Sequence, residues 1–140
     1  MPSMSESEVK NFLQTPRHAI VGTNALDGAP HLSPVWYLYE DDRLYIGITT
    51  DTIKYRNLRR DPRISLCIDG GHGDARTVMF YGVAELFDKA HPLQKEMRWR
   101  LISRYIFDTE EAHRYAETSQ KWDSVLIVVT LQKVISQKFT

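Results

Sequence analysis

Residues 47–69 read GITTDTIKYRNLRRDPRISLCID, and the side chains most able to bind a charged ligand lie there. Thr49, Thr50 and Thr52 supply hydroxyls, and Lys54 follows two residues later. A strand delivers the Thr-Thr pair, and a short basic helix opens at Asp51 or Thr52. Asp61-Pro62 stops that helix, because proline cannot continue it and pushes the preceding residue out of the α region. Hydroxyls, unpaired helix N-terminal amides and a lysine therefore converge. Together they form an anion site for which phosphate is the natural guest. Lys54, Arg56, Arg59, Arg60 and Arg63 also fit the solvated face of a surface helix, which is the commoner fate of a charge run and the reading composition alone favours. Both readings stay open.

Other catalytic groupings are missing from the chain. It has no Gly-x-Ser-x-Gly elbow, no phosphate-cradling Walker loop, and no paired His or Cys at zinc spacing. His18, His31, His72, His91 and His113 are isolated, which favours structural or surface roles. The single cysteine, Cys67, falls in an apolar strand pattern and is expected to be a small core residue. A thiol there lacks the electropositive setting that makes a nucleophilic thiolate. An enzyme without reactive groups of its own borrows them from a cofactor.

The elements that must position these residues follow from patterning. At 140 residues the chain is expected to form a single domain, 1–140. Ser5 and Glu8 form a capping box for a short helix whose Val9, Phe12 and Leu13 share one face. Two strands around Asp27-Gly28 span residues 18–39, with Pro34 requiring an edge or a bulge beside Trp36 and Tyr37. A third strand at 44–48 precedes the basic helix, a fourth follows it, and residues 77–87 make a long fifth with Gly82 at a bend. Asp88 is expected to cap a helix carrying the stripe Leu93, Met97, Leu101, Ile102 and Tyr105, and a second helix starts at Asp108. SVLIVVT at 124–130 reads as a central strand, and residues 134–139 as a separate last edge strand. The sum is a mainly β, α+β chain of six or seven hairpin-linked antiparallel strands with two or three helices. Such a twisted sheet tends to close into a barrel.

The order hairpin, strand, Thr49-Thr50-x-Thr52-x-Lys54-x-x-Asn57-Leu58-x-x-Asp61-Pro62-Arg63-x-Ser65, strand, then Tyr81-Gly82-x-Ala84-x-Leu86 resembles the pyridoxamine 5'-phosphate oxidase-like split β-barrel family. It is most similar to the small members that use FMN or the deazaflavin coenzyme F-420. The resemblance runs from about Phe12 to the end, and residues 54–63 are its most specific part. It implies a Greek-key split antiparallel barrel and a homodimer with cofactor sites in the grooves between subunits. It further implies hydride transfer to or from a small organic substrate. By position, Val35, Trp36 and Tyr37 would lie along the isoalloxazine ring or ribityl chain, and Ile48, Thr49 and Thr50 at the ring edge and ribityl side. Thr52 and Lys54 would bind the phosphate. Asn57 would either join them or tie the helix to a neighbouring strand. Trp122, in the tail segment, reads as a core or interface aromatic.

The departures are also informative. Ile53 stands where the family often has an arginine. The chain lacks the C-terminal Arg-x-His motif of the vitamin B6 oxidase, which argues against pyridoxamine 5'-phosphate as substrate. A non-catalytic flavin or haem carrier, with His31 or His72 as axial ligand, is the alternative. Nucleic acid and anionic membranes are not expected partners, because 18 basic residues balance 18 acidic ones. With no basic-then-apolar leader and no run of membrane-spanning length, a cytoplasmic protein is expected.

Overall fold

The structure is a computed structural model that describes residues 2–139. Helix α1 (Glu6–Leu13) begins at Ser5, whose hydroxyl accepts from Glu8 N at 3.1 Å while the Glu8 carboxylate accepts from Ser5 N at 3.1 Å. This reciprocal cap satisfies two of the helix's orphan amides. There follow β1 (Ala19–Asn24), β2 (Pro30–Val35), β3 (Leu38–Glu40), β4 (Arg43–Thr49), α2 (Ile53–Arg60), β5 (Arg63–Asp69) and β6 (Thr77–Asp88). Then come α3 (Pro92–Tyr105), α4 (Thr109–Thr118), a short 3-10 turn (Ser119–Lys121) and β7 (Ser124–Gln137).

The strands make one seven-stranded sheet in the order β2-β1-β5-β6-β7-β4-β3, antiparallel at every pairing. The ladder does not close, because β2 and β3 are its two free edges. The expected split, antiparallel α+β fold is the observed one, and full closure is not. Pro34 sits on edge strand β2 in unbroken register, paired with Ile20. No bulge accompanies it. Instead the chain leaves the sheet at Trp36 and Tyr37 and re-enters on the opposite edge as β3. The segment expected to be one strand is therefore two.

Three further expectations are corrected. Residues 134–137 continue β7 and pair with β6, whose N-terminal half needs a neighbour along its full length. Helix α3 starts at Pro92 with His91 as its cap, whereas Asp88 ends β6 and its carboxylate accepts from Ala90 N at 2.9 Å. Cys67 is half-buried on the outer face of β5, since strand alternation turns Leu66 and Ile68 inward instead. Burial, with Asp69 beside it, pushes its thiol pKa up. Gly82 does mark a close approach. A Cβ there would overlap the Thr130 carbonyl, at the register shift where β7 carries the extra residue Gln132 opposite β6.

Two apolar clusters result. The inner face of the sheet buries Val21, Ile46, Leu66, Phe80, Ile127 and Val129, and Phe12 and Leu13 of α1 close one end. On the outer face, α3 covers Leu38, Leu126 and Val128 with Met97 and Leu101. The remainder of the outer face stays open, with Leu32 64%, Tyr81 42% and Ile20 40% exposed. No helix among the described residues is long and apolar enough to cross a membrane.

Candidate cofactor-binding site

A cavity of about 370 Å³ lies where the sheet fails to close. Pro34 and Val35 of β2 bound it on one side, and Gly47, Ile48 and Thr49 of β4 on the other. The volume falls in the range of roughly 300–1,000 Å³ typical of small-molecule sites. Six of the nine residues expected at the site line it: Val35, Trp36, Ile48, Thr49, Thr52 and Lys54.

Thr52 caps α2. Its hydroxyl donates to the Thr49 carbonyl at 2.8 Å and accepts from Tyr55 N at 3.3 Å. The proton expected to reach a phosphate is thus already committed, and the residue's visible work is to start the helix. The amides of Ile53 and Lys54 make no backbone hydrogen bond among the described residues and leave the first turn open to an anion. Lys54 is half-buried with no carboxylate in salt-bridge range among the described residues. Burial lowers its pKa, an effect partly offset by Asp51. Thr49 Oγ1 donates to Asp51 at 2.6 Å.

Three expected residues point elsewhere. Tyr37 is fully buried, and its hydroxyl donates toward the Leu13 and Thr15 carbonyls at 3.2 and 3.1 Å. That bond ties the sheet edge to the end of α1, so the ring serves the core. Asn57 is 4% exposed and donates to Thr23 Oγ1 at 3.1 Å, fixing α2 against β1. Thr50 lies outside the cavity, its amide donating to Asp123 O at 3.0 Å and its hydroxyl to the Asp123 carboxylate at 3.1 Å. It joins the start of α2 to the segment entering β7. His31 and His72 also lie off the lining, on which the histidine is His18.

The far wall comes from residues whose role is not visible in the sequence. Gln94, Arg98, Leu101 and Ile102 of α3 face the cavity at helical spacing, joined by Tyr115 of α4 and by Trp122. Trp36 stacks on Tyr105 with ring centroids 4.9 Å apart and planes 3° from parallel. Tyr105 in turn accepts from Tyr37 N at 3.0 Å, and its hydroxyl donates to Arg17 O at 2.5 Å. Arg104 spans the carbonyls of Tyr37 (2.9 Å), Gln14 (3.1 Å) and Leu13 (2.9 Å). These bonds lock the end of α3 to the strand break that carries Trp36. The only sequence signal was a Gln and an Arg four residues apart beside the apolar stripe. Polar residues at that spacing look like a solvated edge until the helix is docked.

Comparison with known proteins agrees with this fold. The family model described as Pyridoxamine 5'-phosphate oxidase matches residues 5–138. Among solved structures, the conserved hypothetical protein Rv2991 from Mycobacterium tuberculosis shares 29% identity at a TM-score of 0.78, over 96% of this chain and 85% of that one. An F420 reductase shares 21% identity at 0.70, over 96% and 98%. A FAD-binding protein from Mesorhizobium loti shares 22% at 0.75, over 99% and 98%. On its match over nearly the whole length, the chain belongs to the pyridoxamine 5'-phosphate oxidase family.

Proposed function

We propose that this protein is a flavin- or deazaflavin-dependent oxidoreductase. It holds FMN or F-420 in the cavity and moves a hydride to or from a small organic substrate, as a cytoplasmic homodimer. One observation carries the reading: a half-buried lysine with no carboxylate in salt-bridge range among the described residues stands beside two helix amides without backbone partners at a cavity with aromatic and aliphatic walls. A cation withdrawn from water without a partner is destabilising in the free protein, and an anion in its place restores the balance. The bound ring would supply the two-electron carrier that no side chain here provides.

The chain's own residues bind and orient. Lys54 and the amides of Ile53 and Lys54 hold the phosphate, whereas Arg56 faces a separate surface hollow beside Thr50 and Tyr55. Val35, Ile48 and Trp36 supply flat apolar contact that excludes water, while Thr49 offers backbone groups at the β4 edge. The open outer face of β2, β1, β5 and β6, bearing Leu32, Ile20 and Tyr81, suits a second copy whose groups would complete the groove.

The test is a single-turnover experiment under nitrogen. Reduced FMN or reduced F-420 is mixed with a quinone, with and without the protein, and reoxidation is followed by absorbance. Transfer accelerated by the protein with one of the two carriers supports the proposal. Rates equal to those of the free carriers contradict it.

A further inference from the structure

We infer that Gln94 and Arg98 recognise the imide edge of a planar heterocycle and so fix which way round the ring lies in the cavity. The inference rests on the proposed cofactor site, because the edge it names is the pyrimidine-dione edge shared by flavins and deazaflavins.

Gln94 is 3% exposed, lines the cavity, and its side-chain amide makes no hydrogen bond to any described residue. The amide's polar atoms are not sealed in the core but open onto the cavity, where they offer their hydrogen bonds to whatever occupies it. Its partners can be read from its chemistry. The amide offers one acceptor oxygen beside two donor hydrogens. One turn along α3, Arg98 uses a single guanidinium nitrogen, Nη2, to donate to Ala116 O at 2.9 Å and Ser119 Oγ at 2.6 Å. Ser119, 3% exposed, passes its own proton to Tyr115 O at 2.6 Å, so the guanidinium is held in place. The Nη1 and Nε hydrogens are free, and no carboxylate neutralises the group among the described residues.

The Gln94 amide can turn either edge outward; with its oxygen on the Arg98 side, the helix face presents donor, acceptor, donor in the order Arg98, Gln94 oxygen, Gln94 nitrogen. Its complement is acceptor, donor, acceptor: a carbonyl, an N–H and a carbonyl, which is a cyclic imide. Trp36, Tyr115 and Trp122 on the same lining provide the aromatic surfaces that a flat ring stacks on. A ring held at this edge keeps a constant face toward the remaining space of the groove, which decides where substrate can approach.

Binding of lumiflavin, which has the ring and no phosphate, is compared with binding of 3-methyl-lumiflavin, in which the imide N–H is methylated. Quenching of ring fluorescence gives both affinities, for the wild type and for Gln94→Leu. The expected result is a preference of about tenfold or more for lumiflavin in the wild type, abolished in Gln94→Leu, the value of one matched hydrogen bond. The wild-type comparison alone decides the matter if the variant does not fold. Equal affinity of the wild type for the two ligands overturns the inference; FMN bound through Lys54 in the same experiment would show that the cofactor site survives. If lumiflavin, FMN and F-420 all fail to bind, both fall together.

Discussion

Lys54 is the residue on which the account turns, and its energetics have opposite signs in the free and bound protein. Burial lowers its pKa, so the folded apo protein disfavours the charged form. That penalty is present at neutral pH and is relieved as the pH rises through the lysine range. Lys54→Met is therefore expected to leave the thermal midpoint of the apo protein unchanged or raised. It should also remove most of the stabilisation that FMN or F-420 confers, since a charge-assisted contact contributes about 1.5–3 kcal/mol. Melting curves with and without cofactor check this, and a large apo destabilisation would assign Lys54 to the fold instead. The lysine was legible in the sequence because a strand, a cap and a proline stop bracket it. Tyr37 is placed at the site by position alone, whereas for Asn57 the sequence leaves open the tie to a neighbouring strand that its bond to Thr23 makes. Which side of a chain break a ring takes depends on distant carbonyls, here those of Leu13 and Thr15.

At the scale of elements, the ends of α2 hold Lys54 at the cavity, and the close approach at Gly82 seats β6 against β7. Asp61 closes α2 and accepts from Arg63 Nε at 3.0 Å, Arg63 Nη2 at 2.7 Å and Asn24 Nδ2 at 3.1 Å. These contacts, the Arg63 guanidinium foremost, hold its carboxyl well below the usual carboxylate range. A lowered carboxyl pKa stabilises above the unfolded value and ceases to do so as the pH falls. Asp61→Asn should thus be less stable than wild type at neutral pH, with the gap narrowing below about pH 5. A gap independent of pH in urea unfolding would contradict the assignment. Gly82→Ala places a methyl against the Thr130 carbonyl and is expected to cost roughly 1–3 kcal/mol in the same measurement. A neutral result would mean that the bulge yields. The Gly82 bend, the α1 capping box and the α2 stop were all readable locally. The wall formed by Gln94, Arg98, Tyr115 and Trp122 was not, since it exists only once α3 and α4 dock across the gap in the sheet.

At the scale of the whole molecule, the outer face divides in two. Helix α3 buries one part, and the strands bearing Leu32, Ile20 and Tyr81 leave the other open. Strand alternation in the sequence gives both faces, but not which of them a helix covers. If a second copy covers the open part, sedimentation should give twice the chain mass, and Leu32→Glu with Tyr81→Lys should give monomers that bind cofactor more weakly. A wild-type monomer at micromolar concentration would remove the dimer from the account. The central claim is that this cavity is a flavin or deazaflavin site anchored by Lys54. The most direct measurement is parallel calorimetric titration of the wild type and Lys54→Met with FMN and with F-420. Saturable one-to-one binding of at least one of them to the wild type is expected, weakened by about tenfold or more in the variant. Failure of both to bind, or binding untouched by the substitution, would contradict it.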